Sequence, residues 1–295
     1  KQLHITASDC NYIQTPEAFG PIKLLCYRSR CVIFSHGSYA NMDRGFRFFR
    51  KNILLRKAFG RYLKWIIRKA DLILVLDEAS RKDYRPYNAR LLKASNSIIL
   101  PEDYQDWKPH EYQGKLLFVG RLSRDKGIAG IIRAMERMTE GETLTIVGDG
   151  EERAIFHRMA EEQRENRRTL TGEIPLQDFI SFTGAVAPDE VGRMMERSDI
   201  LIMNSDFEGV PMTILEAFSH GLPVISTNVG GIADTVRFGD DALQTDGTPE
   251  SIAAAVHEIS QDYENFAECA HAHAAEYSHA VANRKIYEAL CAFWK

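Results

Sequence analysis

Apolar and polar positions alternate in blocks along the second half of the chain, and the blocks have two sizes. Short apolar runs predict strands at Lys115–Val119, Thr143–Val147, Phe179–Phe182, Asp199–Met203 and Leu222–Ser226. Longer stretches with apolar residues at three- and four-residue spacing predict helices between them, at Gly127–Met138, Glu151–Arg164, Pro188–Arg197 and Pro211–His220. Strands without polar alternation are buried on both faces, so this half reads as a parallel sheet between helical layers. Thr169–Gln177 reads as a loop extension before the third strand. From Pro249 to the end the pattern is helical, and Tyr287–Trp294 is amphipathic enough to dock on another domain.

The first half is less regular. Leu3–Ala7 is a weak strand, and Cys31–Phe34 is a better one that runs into Ser35-His36-Gly37. Asp71–Leu76 predicts another strand, with a polar helix start at Asp77-Glu78. Ser97–Pro101 predicts a short strand, and polar Asp103–Gly114, which carries Pro109, predicts a linker. Three segments follow: an N-terminal unit over 1–112, a second over 113–277, and a terminal helix over 278–295 that packs back on the first.

Charge changes the picture at one place. The whole chain is at −4, yet Arg44–Lys69 holds ten Lys or Arg and no acid, which leaves −14 elsewhere. Phe46, Phe48, Phe49, Phe59, Tyr62 and Trp65 are interleaved with these cations. A basic face opposite an aromatic and aliphatic one suits an anionic membrane surface. It equally suits a helix packed on a sheet with its charges in water. The acidic balance argues against nucleic acid as a partner. Composition is ordinary for a globular chain (44% hydrophobic, 26% charged), and no apolar run is long enough to span a bilayer. No secretory leader is visible, and the chain opens on Lys1 rather than Met. Five cysteines, odd in number and scattered without zinc spacing, read as reduced thiols of a cytoplasmic protein.

Candidate chemistry gathers where predicted strands end. After Val119 comes Gly120-Arg121-Leu122-Ser123-Arg124-Asp125-Lys126-Gly127. Its spacing is not that of a Walker loop, but it places Arg121 and Lys126 at one sheet edge, where two cations can hold a diphosphate. Arg124 and Asp125 are expected to face solvent. Val147-Gly148-Asp149-Gly150 ends the next strand, and Gly148 permits close backbone approach to a ligand. After Met203 comes Asp206-Phe207-Glu208-Gly209-Val210-Pro211-Met212-Thr213-Ile214-Leu215-Glu216. A helix beginning at Pro211 offers free N–H groups and a positive end to a phosphate, and two glutamates frame it. No Asp-x-Asp triplet occurs to hold a metal on a sugar diphosphate. Arg121, Lys126 and the helix start can neutralise that charge instead, so no metal and no cofactor are expected.

Taken together, Gly120-Arg121 with Lys126-Gly127, Val147-Gly148-Asp149-Gly150, and Glu208 separated by seven residues from Glu216 resemble the nucleotide-sugar half of GT-B glycosyltransferases. More closely they resemble the retaining glycosyltransferase family 4, with Gly221-Leu222-Pro223-Val224-Ile225 and Gly230-Gly231 completing the set over about Lys115–Ala289. The resemblance implies two Rossmann-like parallel-sheet domains facing a cleft. It implies transfer of a sugar from a nucleotide-diphosphate donor to a lipid-linked or polysaccharide acceptor, with retention and without metal.

By the same resemblance Glu208 contacts the transferred sugar, Glu216 the ribose, and Arg121 and Lys126 the diphosphate. Gly209, Val210, Met212 and Thr213 meet phosphate and sugar, Gly148 lies at the donor, and His36 approaches the sugar from the other domain. The N-terminal match is weaker: 35 residues precede His36 and none forms the family's Gly-rich loop, so a truncated or reduced acceptor domain is expected. The basic segment Arg44–Lys69, read as a membrane contact, leads to the expectation of a cytoplasmic enzyme peripheral at the inner membrane face. A non-catalytic donor-binding subunit, and an epimerase or phosphorylase on the same fold, are the alternatives.

Overall fold

The computed structural model describes residues 10–13, 30–35, 53–94, 96–102, 104–138, 141–171, 179–209 and 211–294. The chain divides into two compact units, residues 1–96 with 282–295, and residues 97–281.

In the first unit four parallel strands, β1 (Cys10–Ile13), β2 (Arg30–Ser35), β3 (Leu72–Val75) and β4 (Leu91–Lys93), lie in that order. Helix α1 (Ile53–Lys69) buries Leu63, Ile66 and Ile67 against Cys31, Ile33, Ile73 and Val75. These positions recur at three- and four-residue spacing, so one face of α1 is apolar by sequence alone. Its last carbonyls are satisfied by the Asn88 side chain, whose Nδ2 donates to Ile67 and Ala70 oxygens at 2.7 and 2.9 Å. Asp77 caps α2 (Glu78–Tyr84), accepting from the Ser80 N–H at 2.6 Å.

The second unit is a six-stranded parallel sheet. Its strands are β5 (Lys115–Val119), β6 (Thr143–Val147), β7 (Ile180–Gly184), β8 (Ile200–Met203), β9 (Val224–Thr227) and β10 (Ala242–Thr245). Their spatial order is β10-β9-β8-β5-β6-β7. Successive residues of β5 bury into opposite cores. Leu116 and Phe118 meet α3 (Ile128–Ala134), α4 (Arg153–Thr171) and α7 (Pro249–Gln261), through Ile131, Phe156 and Ile252. Leu117 meets α5 (Pro188–Glu196), α6 (Met212–Ser219) and α8 (Tyr263–Ala274), through Met195, Phe218 and Ala270. Double burial is why these strands read as unbroken apolar runs. The chain leaves β5 toward β6 on one side and returns through α5 to β8 on the other. The order therefore reverses between β5 and β8, and the ligand crevice of an open parallel sheet lies beyond their C-terminal ends.

Several expectations shift. Ser97–Pro101 makes a single parallel bridge, from Ile98 to Ser278, rather than a strand. The segment expected as a linker is packed: Tyr104 and Trp107 stack on His271 with ring centroids 4.0 and 4.3 Å away. Its aromatic residues bind it to α8, and the contacts divide the chain after Asn96 and Val281 rather than at 112/113 and 277/278. The terminal helix α9 spans His279–Trp294. β10 has no counterpart among the predicted strands, because Ala-Leu-Gln-Thr on an edge carries little apolar signal.

Candidate active site

Strand β5 delivers Gly120–Gly127 to the crevice, and close backbone contacts fix its path. Gly148 (φ +132°) leaves no room for a Cβ, which would lie 1.9 Å from the Gly120 carbonyl oxygen. The close approach that this glycine permits is thus to the neighbouring loop of the protein itself. A short 3₁₀ turn, Arg124–Lys126, ends at Gly127 (φ +61°), where a Cβ would fall 1.9 Å from the Asn204 oxygen. The loop after β8 grips the turn in return. Asn204 Nδ2 donates to the Gly127 and Gly247 carbonyls at 3.0 and 3.2 Å, and the Asp206 N–H donates to the Asp125 carbonyl at 2.8 Å. Asp125 is therefore tied into the loop rather than only solvated, while Arg124 is exposed as expected.

This grip brings two of the predicted residues together. Lys126 Nζ donates to Glu208 Oε1 at 2.5 Å, and the buried Ser205 hydroxyl donates to the same oxygen at 2.7 Å. The side chains are 20% and 12% exposed for Lys126 and Glu208, so this ion pair is largely withdrawn from water. The backbone of Glu208 is held too. Its carbonyl accepts from the Gly231 N–H at 3.2 Å, and a Cβ at Gly230 (φ +57°) would come within 1.7 Å of that oxygen. Ser205 and Asn204 were not among the predicted residues. A serine three positions before the glutamate was the available signal, and it is too common after a strand to single out.

Arg121 behaves differently. Its side chain is 61% exposed and faces Asp125 at 3.6 Å. Of these two cations, Lys126 is enclosed and Arg121 exposed.

Helix α6 begins at Met212, one residue later than expected, with Pro211 as its N-cap. The Ile214 N–H turns back to the Pro211 oxygen at 3.2 Å, and the Met212 and Thr213 N–H groups precede any intrahelical partner. Gly209 lies between Glu208 and this start; Val210 and His36 lie outside the described residues. One turn into α6, Glu216 lines an open cavity of about 760 Å3 together with Val119, Val186, Met212 and Ser219. Its carbonyl accepts from the Ser219 hydroxyl at 2.7 Å, but its carboxylate has no hydrogen-bond or ion-pair partner among the described residues, and burial pushes it above the usual glutamate range. The described residues contain no group of three or more His, Cys, Asp or Glu arranged for a metal ion.

Residues 113–262, half of the chain, match the family described as Glycosyl transferases group 1. The chain belongs to this family. Among curated relatives, a Mycobacterium tuberculosis protein named glycogen synthase is 26% identical over 213 residues, 67% of this chain and 47% of that protein. A GDP-mannose-dependent alpha-(1-6)-phosphatidylinositol monomannoside mannosyltransferase of the same species is 31% identical over 155 residues, 49% of this chain and 37% of that protein. The chain thus spans under half the length of these relatives. Among solved structures, Anabaena HepE in complex with UDP superposes with a TM-score of 0.76 at 20% identity, covering 96% of this chain and 79% of that one. The apo form of the lipopolysaccharide outer core galactosyltransferase WaaB gives 0.72 at 18% identity, covering 97% and 76%. The α/β architecture of this glycosyltransferase group 1 chain is the GT-B fold expected from its motifs.

Proposed function

We propose that this protein is a retaining glycosyltransferase of family 4. It moves a sugar from a nucleotide-diphosphate donor to a lipid-linked or polysaccharide acceptor without a metal ion. The observation that carries the reading is the enclosed Lys126–Glu208 pair at the β5/β8 switch point, followed by the start of α6 and by Glu216 lining a cavity one turn on. In this assignment Lys126 and the Met212 and Thr213 N–H groups take the diphosphate, and Arg121 closes over it from the rim. Glu216, unpartnered beside the cavity, accepts from ribose hydroxyls. Glu208 accepts from hydroxyls of the transferred sugar and stabilises positive charge at its anomeric carbon. Gly209 meets the phosphate and sugar; Val210 and His36, outside the described residues, keep the donor roles that the family resemblance gives them.

In the reaction the bond from the anomeric carbon to the diphosphate oxygen breaks, one to the acceptor oxygen forms on the same face, and the acceptor hydroxyl gives its proton to the departing diphosphate oxygen. The departing electron pair stays on the diphosphate, beside Lys126 and the positive end of α6. Cavity, helix start and lysine suit a nucleoside diphosphate. The HepE neighbour crystallised with UDP-glucose supports a uridine donor, and the mannosyltransferase relative supports a guanosine one. Titration with UDP, GDP and ADP names the base, and hydrolysis of the matching nucleotide sugar separates an enzyme from a binding subunit. Failure of all three to bind contradicts the proposal.

For the acceptor side we propose contact with an anionic membrane face through α1. Leu54 (80% exposed) and Trp65 (40% exposed) share an outward stripe with Lys57 and Arg61. Lys64 and Arg68 instead lie over the Tyr87 ring at 5.6 and 5.5 Å. No helix among the described residues is long and apolar enough to cross a membrane. Sedimentation with anionic but not neutral liposomes, weakened by salt and by Lys57→Glu with Arg61→Glu, is the expected outcome. Sedimentation indifferent to those changes contradicts it.

A further inference from the structure

The Lys126–Glu208 pair has a consequence for how the donor enters. The cation assigned to the diphosphate is paired with the carboxylate assigned to the sugar, at 2.5 Å. A diphosphate arriving at Lys126 must compete with that carboxylate. Glu208 can yield without moving its backbone, because the Gly231 N–H holds its carbonyl and the Ser205 hydroxyl holds the shared Oε1 at 2.7 Å. We propose that Glu208 is an internal stand-in for phosphate: the donor diphosphate displaces it from Lys126, and Ser205 keeps the released carboxylate aimed at the incoming sugar. The proposal rests on the donor-site reading above.

Two features make the exchange favourable. Both partners lie mostly out of water, so the lysine is held next to whichever anion fills the crevice, and a diphosphate offers more negative charge and more acceptor oxygens than one carboxylate oxygen. The exchange also orders events. Glu208 is released from its cation only when a phosphate has arrived, which keeps a free carboxylate out of the crevice until a donor is present. Ser205 is here a positioning residue, acting through Glu208.

The test is a double-mutant cycle on binding, with UDP, GDP, ADP and inorganic pyrophosphate as probes. Pyrophosphate has no sugar or ribose, so it reads the exchange alone. Glu208→Gln removes the competing charge and should tighten binding of the nucleoside diphosphate that the parent binds, and of pyrophosphate, by roughly 3- to 30-fold. Lys126→Met should weaken both, and in its background Glu208→Gln should bring no gain. Ser205→Ala should leave pyrophosphate affinity near the parent value while lowering kcat. Thermal melts confirm folding, and Glu208→Ala serves if the glutamine variant is unstable. A Glu208→Gln variant that binds no tighter overturns the proposal while leaving the donor site standing. A gain of equal size in the Lys126→Met background overturns it too, because the carboxylate then repels anions without engaging the lysine. A parent protein that binds none of the four probes contradicts the donor-site reading, and the exchange with it.

Discussion

The two ends of one strand hold buried carboxylates in opposite ways. Asp199, immediately before β8, accepts the Lys115 and Gln113 backbone N–H groups at 2.6 and 3.0 Å. Glu208, beyond the other end, is held by the side chains of Lys126 and Ser205. Burial pushes the Asp199 carboxyl up and the two N–H bonds pull it back, so its charge is kept by amides that belong to the start of β5. Those amides cannot leave without unravelling the strand. The partners of Glu208 can turn away through side-chain rotation. The same chemical group is a structural clasp where backbone satisfies it, and an exchangeable one where side chains do.

That contrast can be broken from either end. The largest effect belongs to the clasp. Asp199→Ala strands two buried N–H donors and should cost about 3 kcal/mol in chemical denaturation, with nucleotide affinity little changed in the folded fraction. Next is Gly230→Ala, whose added carbon meets the Glu208 carbonyl in a left-handed backbone. It should cost about 2 kcal/mol of stability and lower turnover by displacing Glu208. At the exchangeable end, Lys126→Met should weaken nucleoside diphosphate binding about 10- to 30-fold.

The smallest effect sharpens the comparison with a third carboxylate. Glu216 has neither amides nor cation, and its raised pKa means that burial disfavours the charged form. A raised carboxyl pKa makes the charge a burden that grows as pH climbs through it, so Glu216→Gln should not lower the melting temperature at neutral pH. It should weaken nucleoside diphosphate binding about fivefold, by loss of a charged ribose acceptor, and leave pyrophosphate unaffected. On acidification the parent should lose nucleotide affinity at a higher pH than an ordinary glutamate would give, and the variant should not.

The sheet of the second unit was legible because its strands are buried on both faces. β5 and β6 fall where the apolar runs put them, and β7, β8 and β9 within two residues. Weakly apolar edges were not: β10 offers Gln244 and Thr245 to the pattern, and β4 has three residues. α3 is shorter than its periodicity predicted, tightening to 3₁₀ at Met135–Arg137. The site was legible as residue types at spacings, which placed Lys126 and Glu208 at neighbouring strand ends. That they bond to each other was not, since it depends on Asn204 and the Asp206 N–H drawing two loops together across 80 residues of chain. At Gly148 the fold adds a requirement that spacing alone does not show, the Gly120 carbonyl oxygen lying where a Cβ would be.

The central claim is that the β5/β8 crevice is a donor site shared by Lys126, the start of α6 and Glu216. A crystal structure with whichever of UDP, GDP or ADP binds tightest tests it most directly. The account predicts the diphosphate on Lys126 Nζ and the Met212 and Thr213 N–H groups, the ribose at Glu216, and Glu208 turned off the lysine. A nucleotide bound elsewhere, or bound with the Lys126–Glu208 pair intact, contradicts it.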